Sequence, residues 1–563
     1  MGGSGRAWGR HLRPGGGARA GDGARVGNGG VAVDGGRGVG CGDRPRAVEG
    51  SVDGEALARG TVHVHVHLAY STSKLACCNN VNPSVYTTQT WESPHHGCTG
   101  GGGTPDHASA RSGDHLMSAS PRIGIVGGGL SGALCALVLR SRGAQPIVID
   151  AGRRHVGGRF AGGRHTDSGG QFIRTVEPRV LAVMKMLNRE RLLAPWEGRF
   201  GVLGKHGGFL PSSVLASTPL SSMMREDREP SLEGGNDVDF CGLLAHSSDS
   251  APPVFVGVPS NTSLVQGIFS AASVPVQQGR VLSARPGVPG TDEAAWQLQL
   301  ADSVSSVVEL DALILATHDA SLAASAVDAI VSSLPVAASA AGDSEAHTRL
   351  IELADSLRTQ RAQRTAPAFT WSAIYPKGFS TQVPFDAVTV PGSPIVSFLA
   401  RDASKPGRTE FQHLRSKAAS AGVGPRSEGE LWTAVSRTAM AAQVIASAKA
   451  GENGDSDRGG DAAGLAAQAM TAEVTQLLAP FFGGDASKVP APLDVAAKRW
   501  GAGFPAGSLG SSEDCVSLEP WRVAFCGDFF REAASPAEAA MCSGMEAAER
   551  VASWFAADEQ AQS

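Results

Sequence analysis

The residues best placed to do chemistry are Gly127-Gly128-Gly129-Leu130-Ser131-Gly132, with a carboxylate, Asp150, further along the chain. Gly127 permits a tight turn, Gly129 lets backbone approach a pyrophosphate, and Gly132 lets a helix lie close on a sheet. Leu130 and Ser131 open that helix, whose N-terminal N–H groups favour phosphate charge. Asp150 follows the glycines by roughly 20 residues, where a carboxylate can accept both hydroxyls of a ribose. The chemistry implied is recognition of an adenine dinucleotide.

Glycine is abundant, 72 of 563 residues, so the spacing gains meaning only from the elements around it. Arg122 to Val126 is a short β-branched run suited to a buried parallel strand. Ala136, Leu139 and Gly143 continue with the spacing of one helical face and then a stop. Pro146 to Ile149 forms the next strand, and Asp150 closes it. The pattern predicts a βαβ unit with the glycine turn at its first crossover.

Past Asp150, Arg153-Arg154-His155-Val156-Gly157-Gly158-Arg159 resembles the glycine doublet of flavoproteins in the amine oxidase and renalase group, which plain nicotinamide dehydrogenases lack. The resemblance implies FAD, with Arg153, Gly158 and Arg159 offering N–H groups and charge to the pyrophosphate. Asp167-Ser168-Gly169-Gly170-Gln171-Phe172 is similar to the segment these proteins place near the flavin ring, which implies roles for Gly169, Gly170 and Gln171. Val523 to Cys526 reads as a strand. Gly527-Asp528 at its end resembles the pair that holds the ribityl chain. Ser535, Pro536 and Glu538 then announce a helix with the pattern of a capping box. Ser543 and Gly544 give that helix a small-residue face, and by resemblance its positive end points at the flavin pyrimidine. Halves of one site roughly 400 residues apart imply a discontinuous domain.

The fold expected is α/β: a Rossmann-type FAD-binding domain from residues 121–190, 251–330 and 501–557, interleaved with an α+β substrate domain from 191–250 and 331–500. Residues 279–282, 296–298 and 311–317 look like the three-stranded meander and closing strand of such an FAD domain, with Val281 presenting backbone to the adenine by resemblance. Ala346 to Leu357 and Leu465 to Leu478 show helical spacing. Residues 368–371, 397–408 and Trp432 read as strands, and their content resembles the renalase-like branch.

Net charge is −5 and no basic block with interleaved aromatics occurs, which argues against a nucleic-acid partner. No apolar run is long enough for a membrane span, so a soluble protein is expected. The nine cysteines imply no disulfide framework, and no paired CxxC spacing calls for zinc. Residues 1–120 read as a low-complexity, disordered extension, rich in Gly and Arg near its start. Arg6, Arg10, Arg13 and Arg19 without any acid in the first 20 residues are compatible with a plastid or mitochondrial transit segment. A disordered extension or a mis-assigned start fits as well, with a cytoplasmic location. His63, His65 and His67 alternate, with His95, His96 and Cys98 nearby, but low complexity explains them better than a metal, and none is expected.

The resemblance implies a renalase-like oxidoreductase with noncovalent FAD, oxidising a small dihydronicotinamide-type substrate and returning electrons to oxygen as hydrogen peroxide. No catalytic base is assigned, since hydride transfer to a flavin does not require one. Trp371, Arg401, Arg499 and Trp500 are candidate substrate contacts, the arginines because they could pair with phosphate. The alternatives are an amine or polyamine oxidase-like flavoenzyme and a flavin-holding scaffold or assembly protein. Only three tyrosines occur, at 70, 86 and 375, which argues against the aromatic cage usual in amine oxidases.

Overall fold

The computed structural model describes residues 120–562 apart from 153–154, 163–166, 205–206, 216–238, 245–252, 288–293, 302–306, 335–343, 364, 409–428, 451–461, 506–507, 510–512 and 532–534. The expected N-terminal extension, with its histidines, lies outside the described residues, and so does Arg153.

Strand β1 (Arg122–Val126) is buried along four of its five residues, as the centre of a parallel sheet requires. It runs parallel to β2 (Gln145–Asp150) on one side and β11 (Ala312–Leu315) on the other. The sheet has six strands in the order β17-β18-β11-β1-β2-β7, with β7 at Val276–Gln278, β17 at Val516–Leu518 and β18 at Val523–Phe525. Only β17 runs antiparallel to its neighbour.

Helix α1 (Leu130–Ser141) crosses from β1 to β2 and is buried from Leu130 through Leu139. It shares a core with Ile123 and Ile125, with α2 (Pro178–Arg189), with α4 (Asn261–Ala271) and with the long C-terminal helix α9 (Pro536–Gln562). The opposite face of the sheet is covered by an antiparallel meander of β8 (Val281–Pro286), β9 (Trp296–Leu300) and β10 (Val307–Leu310), together with α5 (Ala320–Ser333). Helix α6 (Ser344–Gln363) adds Ala354 and Leu357 to this same core. It therefore packs with the six-stranded sheet although it lies past residue 331.

A second sheet has seven strands in the order β16-β12-β15-β14-β13-β4-β5. These are β4 (Phe200–Leu203), β5 (Phe209–Pro211), β12 (Thr365–Pro376), β13 (Ala387–Thr389), β14 (Val396–Arg401), β15 (Gly429–Ser436) and β16 (Asp494–Pro505). All neighbours are antiparallel except β13 and β4. The sheet continues to Pro505, five residues past the expected boundary. A one-turn helix, α3 (Ser212–Leu215), follows β5. Helices α7 (Thr438–Ala450) and α8 (Ala462–Leu478) cover one face. A two-stranded pair, β3 (Leu193–Pro195) with β6 (Phe255–Gly257), completes the sheets. Residues 402–408, expected as strand, form a short 3-10 turn and a bend, because Lys405 and Arg408 turn inward to buried carboxylates.

Candidate functional site

A cavity of about 700 Å³ runs along the carboxyl ends of β1, β2, β11 and β18 and reaches the seven-stranded sheet. That is where open parallel sheets bind ligands. Its size falls in the usual range for small-molecule sites.

At one end stands the glycine turn. Gly127 has φ +117° and a side chain there would meet Ala316 O at 2.4 Å, so only glycine fits. Gly129 is the N-cap of α1 and brings no capping side chain, and no acid occupies the first turn. The positive end of α1 is thus open to an anion. Gly158, at φ +52°, lies against it: a Cβ there would sit 3.0 Å from Gly129 Cα. Asp150 accepts from Gly128 N at 2.9 Å and Gly152 N at 3.1 Å, which fixes the turn while the carboxylate still lines the cavity. Gly279 to Leu282, Thr317, His318, Ser321 and Ser325 complete this end.

In the middle, Arg159 Nη2 meets Asp528 Oδ1 at 2.5 Å, the arginine partly exposed and the carboxylate buried. This pair ties the glycine doublet to the end of β18, residues far apart in the chain. Ser535 Oγ accepts from Glu538 N at 3.1 Å, capping α9 as its sequence predicts. Glu538 Oε2 accepts from Thr175 Oγ1, Val176 N and Glu177 N at 2.5, 2.6 and 3.1 Å, docking α9 on the segment before α2. Ser535, Pro536, Ala537 and Ala540 line the cavity, so the N-terminus of α9 faces it.

The far end is walled by rings. Trp500 donates from Nε1 to Ser168 O at 2.6 Å and Thr370 Oγ1 at 3.1 Å, and Lys498 Nζ lies 3.8 Å from its ring centroid. Phe172, Phe240 and Phe504 stand beside it, with Phe240 edge-on to Phe504 at 5.8 Å and to Phe172 at 6.2 Å. Cys241 joins this wall in a left-handed conformation, φ 51°. Burial, with the charges of Asp239 and Asp528, pushes its thiol up to about 12.

Among the residues named from sequence, Gly127, Gly129, Leu130, Ser131, Asp150, Gly158, Arg159, Gly169, Gly170, Gln171, Val281, Gly527, Asp528 and Trp500 come together around this cavity. Gly132, Ser543 and Gly544 stand behind the wall. A Cβ on Gly132 would press on Gly127 O at 2.0 Å and one on Gly544 on Ser131 O at 2.4 Å, and Ser543 Oγ accepts from Gly527 N at 2.9 Å. They seat the residues that face the cavity.

Three candidates lie elsewhere. Trp371 shares strand parity with Phe369, Ala373 and Tyr375, which all face α7 and α8, and its Nε1 donates to Thr471 Oγ1 at 2.9 Å. Its neighbours Ala368 and Thr370 are the ones that line the cavity. Arg499 is exposed, on the opposite side of β16 from Trp500. Arg401 is drawn to Asp386 and Glu430, at 3.8 and 3.6 Å, away from the wall. Sequence reasoning missed Thr317 to Ser325, which the rule of carboxyl strand ends could have flagged. It also missed Phe240, Cys241 and Thr370, for which no local signal exists.

The family description of an NAD(P)-binding Rossmann-like domain matches residues 125–189. No curated protein matches the chain. Among solved structures, the chain is similar to cyclohexylamine oxidase from Brevibacterium oxydans IH-35A, at 14% identity over 78% of this chain and 100% of that one, TM-score 0.48. It is also similar to an oxidoreductase from Methanosarcina mazei, at 12% over 76% and 99%, TM-score 0.44. A redesigned putrescine oxidase double mutant is similar at 14% over 78% and 99%, TM-score 0.44.

Proposed function

We propose that the chain is an FAD-dependent oxidoreductase of the renalase-like kind, oxidising a small dihydronicotinamide-type donor with oxygen as the final acceptor. One observation carries this reading: a single cavity joins the glycine turn and Asp150 to the Arg159–Asp528 pair and then to an aromatic-walled end.

The residues fit a flavin dinucleotide. Asp150 would accept the ribose hydroxyls, the uncapped N-terminus of α1 would face the pyrophosphate, and Asp528, oriented by Arg159, would hold the ribityl chain. The N-terminus of α9 would face the ring's pyrimidine edge and favour negative charge there. Bound FAD supplies a ring that accepts a hydride and passes the electron pair to oxygen, giving hydrogen peroxide. The chain's own work is to orient the donor carbon and exclude water. Trp500, locked by two hydrogen bonds and by Lys498, offers a rigid face for this, and the phenylalanines exclude solvent. The strand segment 499–505 that carries Trp500 has no cysteine, which supports noncovalent retention of the cofactor.

The aromatic wall also favours a second reading, an amine oxidase-like activity with Trp and Phe where a tyrosine cage is usual. Tyr375 is buried in the core under α7 and α8 and takes no part. The open cavity gives the scaffold reading no support. The test is anaerobic addition of isomeric dihydronicotinamides, then of polyamines, to the flavin-loaded protein. Bleaching of the flavin absorbance by the dihydronicotinamides is expected. Bleaching by polyamines alone overturns the substrate assignment, and failure of the purified protein to take up FAD overturns the cofactor.

A further inference from the structure

Lys405, Arg408, Asp167 and Asp402 form an ionic cluster in which no side chain has any exposed surface. Lys405 Nζ lies 3.2 Å from Asp167 Oδ2 and 2.6 Å from Asp402 Oδ1; Arg408 meets Asp167 and lies 3.6 Å from Asp402 Oδ2. Two cations balance two anions. Neither oxygen of Asp402 has a hydrogen bond of good geometry among the described residues, so charge alone seats it. An apolar cluster of similar volume would stabilise a fold as well or better, so a buried group of this kind calls for another explanation.

Its bonds lead to the cavity. Lys405 Nζ donates to Gln171 Oε1 at 3.2 Å, and Gln171 Nε2 donates to Asp167 O at 2.5 Å and Gly169 O at 2.8 Å. Asp167 Oδ1 accepts from Asn261 N at 2.9 Å, and Asn261 Nδ2 donates to Gly170 O at 2.8 Å. The carbonyls of 167, 169 and 170 are each gripped from behind. In front there is no slack, for a Cβ on Gly169 would sit 1.8 Å from Arg159 O. Whatever shifts this strip shifts the turn that carries Arg159.

We propose that Lys405 is a positioning residue, which fixes the 169–172 wall of the cavity through Gln171 while Asp402, Asp167 and Arg408 keep its buried charge balanced. The proposal concerns the shape of the wall and does not depend on which ligand fills it.

Two variants separate this role from plain stability. Gln171→Met cuts the tether, along with Gln171's own bonds to the 167 and 169 carbonyls, and leaves the four charges intact, so the Lys405 variant, which keeps those bonds, isolates the tether. Lys405→Met with Asp402→Asn removes the tether and restores a net charge of zero, where Lys405→Met alone would leave one buried carboxylate unbalanced. In full-length protein, both are expected to speed hydrogen exchange of the amides in residues 168–173 at least tenfold, with the amides of β1 and β11 unchanged. With FAD as probe, its dissociation constant is expected to rise at least tenfold in the Lys405 variant, whose altered side chains do not line the cavity. Wild-type exchange at 168–173 in either variant, or acceleration spread evenly over β1 and β11, overturns the proposal. If the wild-type protein takes up no FAD, the functional reading fails, and the exchange measurement still decides the role of Lys405.

Discussion

Asp150 and Asp528 show how a carboxylate can be fixed by its neighbours and still line a cavity. Asp150 takes one backbone N–H on each oxygen and keeps the remaining lone pairs at the cavity wall. Asp528 is held by one guanidinium. Cys241 is the contrasting case, a thiol that its surroundings keep neutral. With its titration pushed up to about 12, the thiol is overwhelmingly protonated at pH 8. Iodoacetamide should therefore label Cys241 slowly at pH 8, and faster by about tenfold for each unit of pH while the fold persists, which peptide mass spectrometry can follow. Full labelling within minutes at pH 8 would contradict this. The linkage has a definite sign: the folded thiol is harder to ionise than the unfolded one. Its contribution to stability is complete below the ordinary thiol range and is lost as pH rises toward about 12.

At the scale of elements, the glycine turn, α1 and β2 were legible because their signals are local: a β-branched run, a turn only glycine can make, and a helical face of small residues. The seven-stranded sheet was not legible in the same way. Both faces of β12 are covered, so Ala368 to Tyr375 reads as a nearly continuous apolar run, and nothing in it says that Thr370 faces the cavity and Trp371 faces α8. Parity became visible only when β12 had partners on both sides. The contact of α1 with α9 carries a prediction of its own. A Cβ on Gly544 would stand 2.4 Å from Ser131 O, backbone that cannot yield cheaply. Gly544→Val should therefore push α9 off α1 and cost about 1–3 kcal/mol, read as a lower urea midpoint at unchanged slope. FAD affinity should fall with it, because Ser131 Oγ donates to Ala540 O and shares that contact. A midpoint equal to wild type would show that the helices can separate freely.

For the molecule as a whole, the cavity belongs to neither sheet alone: Gly127 to Ser131 and Gly527 to Asp528 come from the six-stranded sheet, and Ala368, Thr370, Val435 and Trp500 from the seven-stranded one. The end at the glycine turn could be read from sequence, since Gly127, Asp150 and Gly527 each sit at the end of a recognisable strand. The aromatic end could not, because Phe240, Thr370 and Phe504 are joined only by tertiary packing, and Lys405 reaches Gln171 across more than two hundred residues. A ligand that fills such a cavity must stabilise both sheets. At a hundredfold excess over its dissociation constant, FAD should raise stability by about 2.7 kcal/mol. If the ring reaches Trp500, hydrogen exchange should slow in β12 and β15 as well as in β1 and β11. Protection confined to β1, β11 and β18 would mean that the ligand occupies the dinucleotide end alone, and the aromatic wall would then have to serve a different molecule.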